Sequence, residues 1–351
     1  MPPNQYLYLA GSGMVTPVGG RVDTTNAAVA CAISAYQASE HFYQQGQPIT
    51  LASVPNQLLE ALELELDEGN SYNWRHDRIT KMAIIAARQA CQNLEQNSIP
   101  LIMGLAEVPE DPSLPPFLDN LVNNCQPWLS AHLSRSIATG RASGMDAIAF
   151  AFNHVAANYP YCLVGGSDSY QDMAILTPLM EQGRVHSALN KNGFAPGEGA
   201  CFLLLTPHRE LATLRNGHII GLRSPGISEE PGHFNSHHPY RGDGMAEAFK
   251  RALRQQAPQS ISRIYSSLNG ENYWAKELGV AHLRSQTAFK PDLYIAHPAD
   301  CYGDLGCATA TSLIALAAEH LIKTPTAHAH LVCCSSDTQR RGALVVEKLR
   351  A

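Results

Sequence analysis

Apolar residues fall along the chain in short continuous runs, separated by longer segments in which they recur every three or four positions. Runs of the first kind read as strands covered on both faces, and segments of the second kind as helices with one buried stripe. Strands are expected at Tyr6–Leu9, Pro100–Gly104, Tyr161–Gly166 and Ala200–Leu205, and helices at Thr25–Ala35, Asp77–Gln92 and Ala142–Ala157. Gly11-Ser12-Gly13 reads as the turn that closes the first strand. After Thr206-Pro207 the pattern begins again. Strands are expected at His218–Leu222, Ser266–Asn269, Leu293–His297, Leu331–Ser335 and Ala343–Glu347, with a helix at Asp304–Ile322. Small residues crowd Ala142–Ala157 and the start of Asp304–Ile322, so each of these helices must pack closely against a neighbour. Strands alternating with helices define an α/β protein. The repeated order suggests an internal duplication, with halves at 1–206 and 207–351.

Composition narrows the picture. With 45% hydrophobic and only 16% charged residues, the chain buries a sizeable core, which excludes disorder. No run of 18 apolar residues occurs, so no membrane span is expected, and the opening Met1-Pro2-Pro3-Asn4-Gln5 lacks the features of a secretory signal. A net charge of −6 without a basic stripe argues against nucleic acid as a partner. Nine cysteines make an odd count with no Cys-x-x-Cys pair, and Cys31, Cys162 and Cys201 sit inside apolar runs. Free thiols in a reducing compartment, the cytoplasm, are the expectation. His233, His237 and His238 lie in a loop between Pro231-Gly232 and Pro239, and His328 and His330 alternate near a strand start; neither group makes a metal site. Gly11-x-Gly13 and Gly165-Gly166 do not complete a dinucleotide fingerprint, so no cofactor is expected.

The most specific string is Gly193-Phe194-Ala195-Pro196-Gly197-Glu198-Gly199-Ala200, where three glycines and a proline demand unusual backbone angles before a buried strand. It resembles the corresponding segment of β-ketoacyl synthases, the condensing enzymes of the thiolase fold. Leu9–Gly19, Asp77-Arg78 at the head of an Ala-rich helix and Leu163–Ser169 resemble three further segments of that family in the same order. The resemblance spans nearly the whole chain, which is shorter than typical members, mostly between Leu105 and Arg141 and in the second half. It implies a five-layered αβαβα arrangement built from two pseudo-duplicated halves and normally dimeric, as a homodimer or heterodimer. It also implies thioesters of acyl carrier protein or coenzyme A as the ligands of the family's site.

At the positions of the family's condensing triad the match fails. The nucleophile segment reads Gly140-Arg141-Ala142-Ser143-Gly144, with Arg141 in place of cysteine. Asn269 and Asp304 stand where the resemblance places two histidines, and Ser335-Ser336-Asp337-Thr338 replaces a glycine-rich loop. A guanidinium stays protonated and cannot attack a thioester, so ordinary condensation is not expected. A cation at a helix start needs compensation, and the resemblance brings Arg141 near Asp304. An ion pair is expected there, bidentate if geometry allows, with Asn269 hydrogen-bonded nearby. Ser143, Cys301, Cys307 and His297 are the remaining candidates for chemistry, each weighed against a packing or surface role. Three readings follow: a non-condensing partner subunit or binding scaffold, an acyltransferase, thioesterase or decarboxylase with a rearranged site, or an anion-binding regulatory protein using Arg141.

Overall fold

The computed structural model describes residues 5–60, 74–95, 98–107, 117–125 and 127–351; Met1–Asn4 of the opening segment lie outside them. The first half runs β1 (Leu7–Val15), α1 (Val22–Ala30), β2 (Tyr36–Gln44), β3 (Gln47–Ala52), α2 (Asn56–Glu60), α3 (Trp74–Ala90), β4 (Leu101–Leu105) and α4 (Phe117–Asn124). It continues with β5 (Arg135–Ala138), α5 (Ser143–Phe150), β6 (Cys162–Ser169), α6 (Met173–Glu181) and β7 (Glu198–Thr206). The second half runs β8 (His218–Leu222), β9 (Gly226–Glu229), α7 (Asp243–Ala252), β10 (Ile261–Ser266) and α8 (Asn272–Arg284). It ends with β11 (Phe289–Ala296), α9 (Ala299–Tyr302), α10 (Thr309–Lys323), β12 (Ala329–Ser335) and β13 (Arg340–Arg350).

Strands β1-β7-β6-β4-β5 lie side by side, the first two pairings antiparallel and the last two parallel. Strands β8-β13-β12-β10-β11 repeat that order with the same senses. The two sets meet where β1 pairs with β8 at Leu7–Leu222 and Tyr8–Gly221. Helices α5 and α10 lie between them, and Met145, Ile148, Leu313, Ile314 and Leu316 share one core with Leu203, Leu205, Val332 and Val346. Outside the first set, α3 and α4 bury Met82, Ile84 and Leu121 against Leu101, Met103 and Phe202. Outside the second, α7 and α8 bury Met245, Phe249 and Leu278 against Ile264, Leu331 and Val345. The fold is therefore five-layered, αβαβα, and the small-residue helices pack against each other at its centre.

This layering explains the unbroken apolar runs. In β7, Leu203 and Leu205 face the central helices while Phe202 and Leu204 face α3, and in β12, Val332 and Leu331 divide in the same way. Alternation persists, but both faces are dry.

Three expectations need correction. Gly11-Ser12-Gly13 is strand, not turn: the glycines are required because a Cβ on Gly13 would lie 1.9 Å from the Ala86 carbonyl of α3. The strand expected at Ser266–Asn269 ends at Ser266, because the chain then leaves the sheet toward Gly270, whose φ is +106°. The helix expected from Asp304 begins at Thr309, after a short turn at Gly306–Ala308, so Asp304 stands in a loop. Among the described residues no helix is long and apolar enough to cross a membrane, and the nine cysteines are free.

His330 in β12 and His320 in α10 meet in the second half, Nε2 to Nδ1 at 2.9 Å, with Ser262 and Thr324 hydroxyls on their outer nitrogens. Burial, helped by the nearby Arg263 and Lys348 charges, lowers His330 to about 3 and His320 to about 4. Both therefore stay neutral in the fold while the unfolded chain takes up protons near pH 6.5. Stability present above about pH 6.5 should fall as pH drops below it. Urea midpoints between pH 7 and pH 5 should decline, and His320→Gln should flatten that decline; an equally steep variant would show that other groups control it.

Candidate functional site

Arg141 lies in a short turn, Gly140–Ala142, that leads into α5. Its side chain is buried and makes three separate contacts. Nη1 donates to Asp304 Oδ2 at 2.8 Å, Nη2 to Asp337 Oδ1 at 2.6 Å, and Nε to the Ser335 carbonyl at 3.1 Å. The expected ion pair with Asp304 is present, but it is not bidentate, because Asp337 takes the second arm of the fork. Burial works against the Arg141 charge, yet Asp337 and Asp304 hold its pKa well above the usual arginine value. The Trp274 ring lies beneath the guanidinium, 4.4 Å away.

Asp304 is saturated on both oxygens. Oδ2 accepts from Arg141 and from Asn269 Nδ2 at 2.9 Å, while Oδ1 accepts from the Gly306 N–H at 2.9 Å and the Tyr170 hydroxyl at 3.4 Å. Its backbone is held by the glycine-rich string: Asp304 N–H donates to the Ala195 carbonyl, and Gly197 N–H donates to the Asp304 carbonyl. A Cβ on Gly197 would lie 2.5 Å from the Tyr302 carbonyl, so this approach needs glycine. The string thus aims the aspartate at Arg141.

A second arginine completes the cluster. Arg184 follows α6 and forks onto Glu271, Nε to Oε1 at 2.8 Å and Nη2 to Oε2 at 2.9 Å. Its Nη1 donates to Asp337 Oδ2 at 2.5 Å, and Phe234 lies 4.1 Å from its guanidinium carbon. Glu271 also accepts from Asn269 Nδ2 and from Trp274 Nε1. Burial opposes the Asp337 charge, but Arg141 and Arg184 keep its carboxyl below the ordinary range. Beside this group, Arg341 and Glu277 form a fully buried pair at 2.5 Å.

The segments that carry the resemblance converge as well. Arg78 donates to Glu198, and Arg75 Nη2 lies 2.6 Å from Asp168. Asp168 also accepts from the Cys307 N–H at 3.0 Å.

The other candidates lie apart from this chemistry. Ser143 is buried, with its hydroxyl 3.5 Å from the Cys307 carbonyl. The Cys307 thiol donates to the Ser167 carbonyl, and burial pushes its pKa well above the usual thiol value. Burial also raises Cys301. Neither cysteine has the low pKa of a reactive thiol. His297 is half-exposed and pairs with Asp300 at 2.7 Å rather than with Asp304. Among the described residues no group of three His, Cys, Asp or Glu side chains gathers as a metal site. Cavities of about 580 and 310 Å³ open elsewhere, and neither is lined by Arg141, Asn269 or Asp304.

Arg184, Glu271, Trp274 and Asp337 were not singled out in the sequence as site residues. Glu271 lies close to Asn269 and Asp337 within Ser335–Thr338, two segments the sequence did bring forward, whereas Arg184 carries no local signal.

No family model matches the chain, and no curated protein matches it. Solved structures do. The ishigamide ketosynthase/chain length factor superposes with a TM-score of 0.75 at 17% identity, covering 98% of this chain and 99% of that one. A ketosynthase from module 6 of the bacillaene synthase of Bacillus subtilis 168 gives 0.76 at 14% identity, over 99% of this chain and 72% of that one. A type II polyketide synthase acyl-carrier protein in complex with its ketosynthase gives 0.74 at 17% identity, over 98% and 99%. The chain has the thiolase-like ketosynthase fold. Within that fold, Arg141 occupies the approach to the first central helix and Asp304 the approach to the second.

Proposed function

We propose that this chain is a non-condensing subunit of ketosynthase fold that acts as a protein partner or binding scaffold, dimeric with itself or with a ketosynthase. The observation that carries this reading is the Arg141 network. A permanently charged guanidinium, paired with Asp304 and Asp337, stands at the start of the central helix, in the place where condensation would need a thiolate. The start of that helix is further closed by Ser336, whose hydroxyl accepts from the Ala142 N–H at 3.0 Å. Neighbours of the same fold include a ketosynthase/chain length factor and a ketosynthase in complex with its acyl-carrier protein, which supports a partnering role. The repeated strand order supports an origin by duplication, with halves at 1–206 and 207–351. A rearranged acyl-transfer site gains no support from Ser143, Cys301 or Cys307, whose surroundings supply no base and no stabilised thiolate.

The test is intact mass after incubation with acyl- and malonyl-thioesters of carrier protein and coenzyme A, with released carbon dioxide followed in parallel. The wild type should show no stable adduct and no decarboxylation. Arg141→Cys alone should not gain condensing activity, because Asn269 and Asp304 supply no imidazole for proton transfer. Substantial condensation by that variant would overturn the reading.

A further inference from the structure

Asp337 differs from its neighbours in the arginine network. Its side chain is 29% exposed, against 5% for Arg141, 4% for Arg184 and 2% for Asp304. Asp304 and Glu271 already match the two guanidiniums charge for charge, and each is held by further donors from Asn269, with Trp274 on Glu271 and Gly306 on Asp304. Asp337 is a third carboxylate for two cations, so charge balance does not call for it. The donors do. Arg141 Nη2 and the Arg184 fork converge on one place, and a planar carboxylate spans it: Oδ1 accepts from Arg141 Nη2 at 2.6 Å and from Arg184 Nη2 at 3.2 Å, while Oδ2 accepts from Arg184 Nη1 at 2.5 Å.

We propose that Arg141 and Arg184 form a carboxylate clamp that the chain fills with its own Asp337, and that a carboxylate-terminated small molecule binds there by displacing that side chain. The backbone on either side of Asp337 is anchored independently. Ser336 N–H donates to the Arg340 carbonyl at 3.0 Å, the Thr338 hydroxyl donates to Glu107 at 2.5 Å, and the Thr338 carbonyl accepts from Arg341 at 2.6 Å. Displacement therefore needs a side-chain rotation of a partly exposed residue, and the connection from β12 to β13 stays in place. Trp274 and Phe234 hold the two guanidinium planes in position whether or not the clamp is filled. A carboxylate suits the clamp better than a phosphate. The extra phosphate oxygens would approach Asp304 and Glu271, whose like charge repels them. This inference goes beyond the partner reading and does not depend on it.

The test empties the clamp with Asp337→Gly and measures thermal unfolding in sodium chloride, acetate and phosphate at equal ionic strength. Acetate should raise the variant's midpoint saturably, phosphate less, and chloride not at all. The wild type should need at least about tenfold more acetate for the same rise, because tethered Asp337 competes at high effective concentration. Adding Arg184→Gln to Asp337→Gly should abolish the acetate response. Should Asp337→Gly fail to fold, Asp337→Ser empties the same place with a smaller backbone effect. Equal responses to acetate and chloride, a phosphate response as strong as that to acetate, or a response that survives Arg184→Gln would each overturn the clamp. Light scattering on the same samples reports dimerisation separately, so a failed clamp and a failed partner reading are distinguishable.

Discussion

Arg141→Ala is expected to destabilise the protein by about 3–5 kcal/mol, the range for removing one member of a buried ion pair. The variant leaves Asp304 buried with amide, backbone and phenol donors but no cation, and it strips Asp337 of its contact with Arg141. It also empties the space above Trp274. The urea midpoint checks this, with Arg284→Ala as the control. Arg284 and Asp243 are each half-exposed, and pairs of that kind contribute less than about 1 kcal/mol. Neutralising the stranded carboxylate in Arg141→Ala/Asp304→Asn should recover part of the loss, because the penalty arises from an unpaired buried charge and not from the missing volume alone. A loss in Arg141→Ala no larger than that in Arg284→Ala would mean that the cluster is hydrated, and the buried Arg141 network would no longer carry the non-condensing reading.

The pair at the centre of that prediction was legible from sequence, and its surroundings were not. Arg141 and Asp304 fall at the heads of two small-residue segments, and a resemblance that places both heads in one pocket makes an ion pair the natural way to tolerate the charges. Arg184 and Asp337 are 153 positions apart and meet only because α6 and the β12–β13 connection reach the same place from opposite halves. No periodicity encodes such a meeting. The strands of the central layers were readable because both faces are apolar, whereas β2 was missed because its pattern is mostly exposed and its residues are polar. Gly11 and Gly13 misled for a physical reason: glycine signals a turn and a close approach alike, and here α3 lies against the strand.

Arg78→Ala should be about as damaging as Arg141→Ala, again about 3–5 kcal/mol, although it lies in the scaffold and not in the arginine cluster. Glu198 is fully buried in β7, and Arg78 from α3 donates to both of its oxygens. The same guanidinium donates to the Val54 carbonyl at 2.8 Å and to Asn56 at 2.6 Å, tying the segment after β3 to the helix. Without Arg78, Glu198 keeps, among the described residues, the Val54 N–H and the Ser169 hydroxyl. Replacing both members by apolar residues, Arg78→Met with Glu198→Leu, should restore much of the stability, since a well-packed apolar pair often equals a buried ion pair. Urea midpoints of the two single variants and the double variant form the cycle. Near-additive losses would show that the two residues act separately. A large favourable coupling in the double variant would show why an arginine in the second turn of α3 and a glutamate in the glycine-rich string occur together. Their pairing fixes the strand start from which Ala195 and Gly197 reach across to hold Asp304.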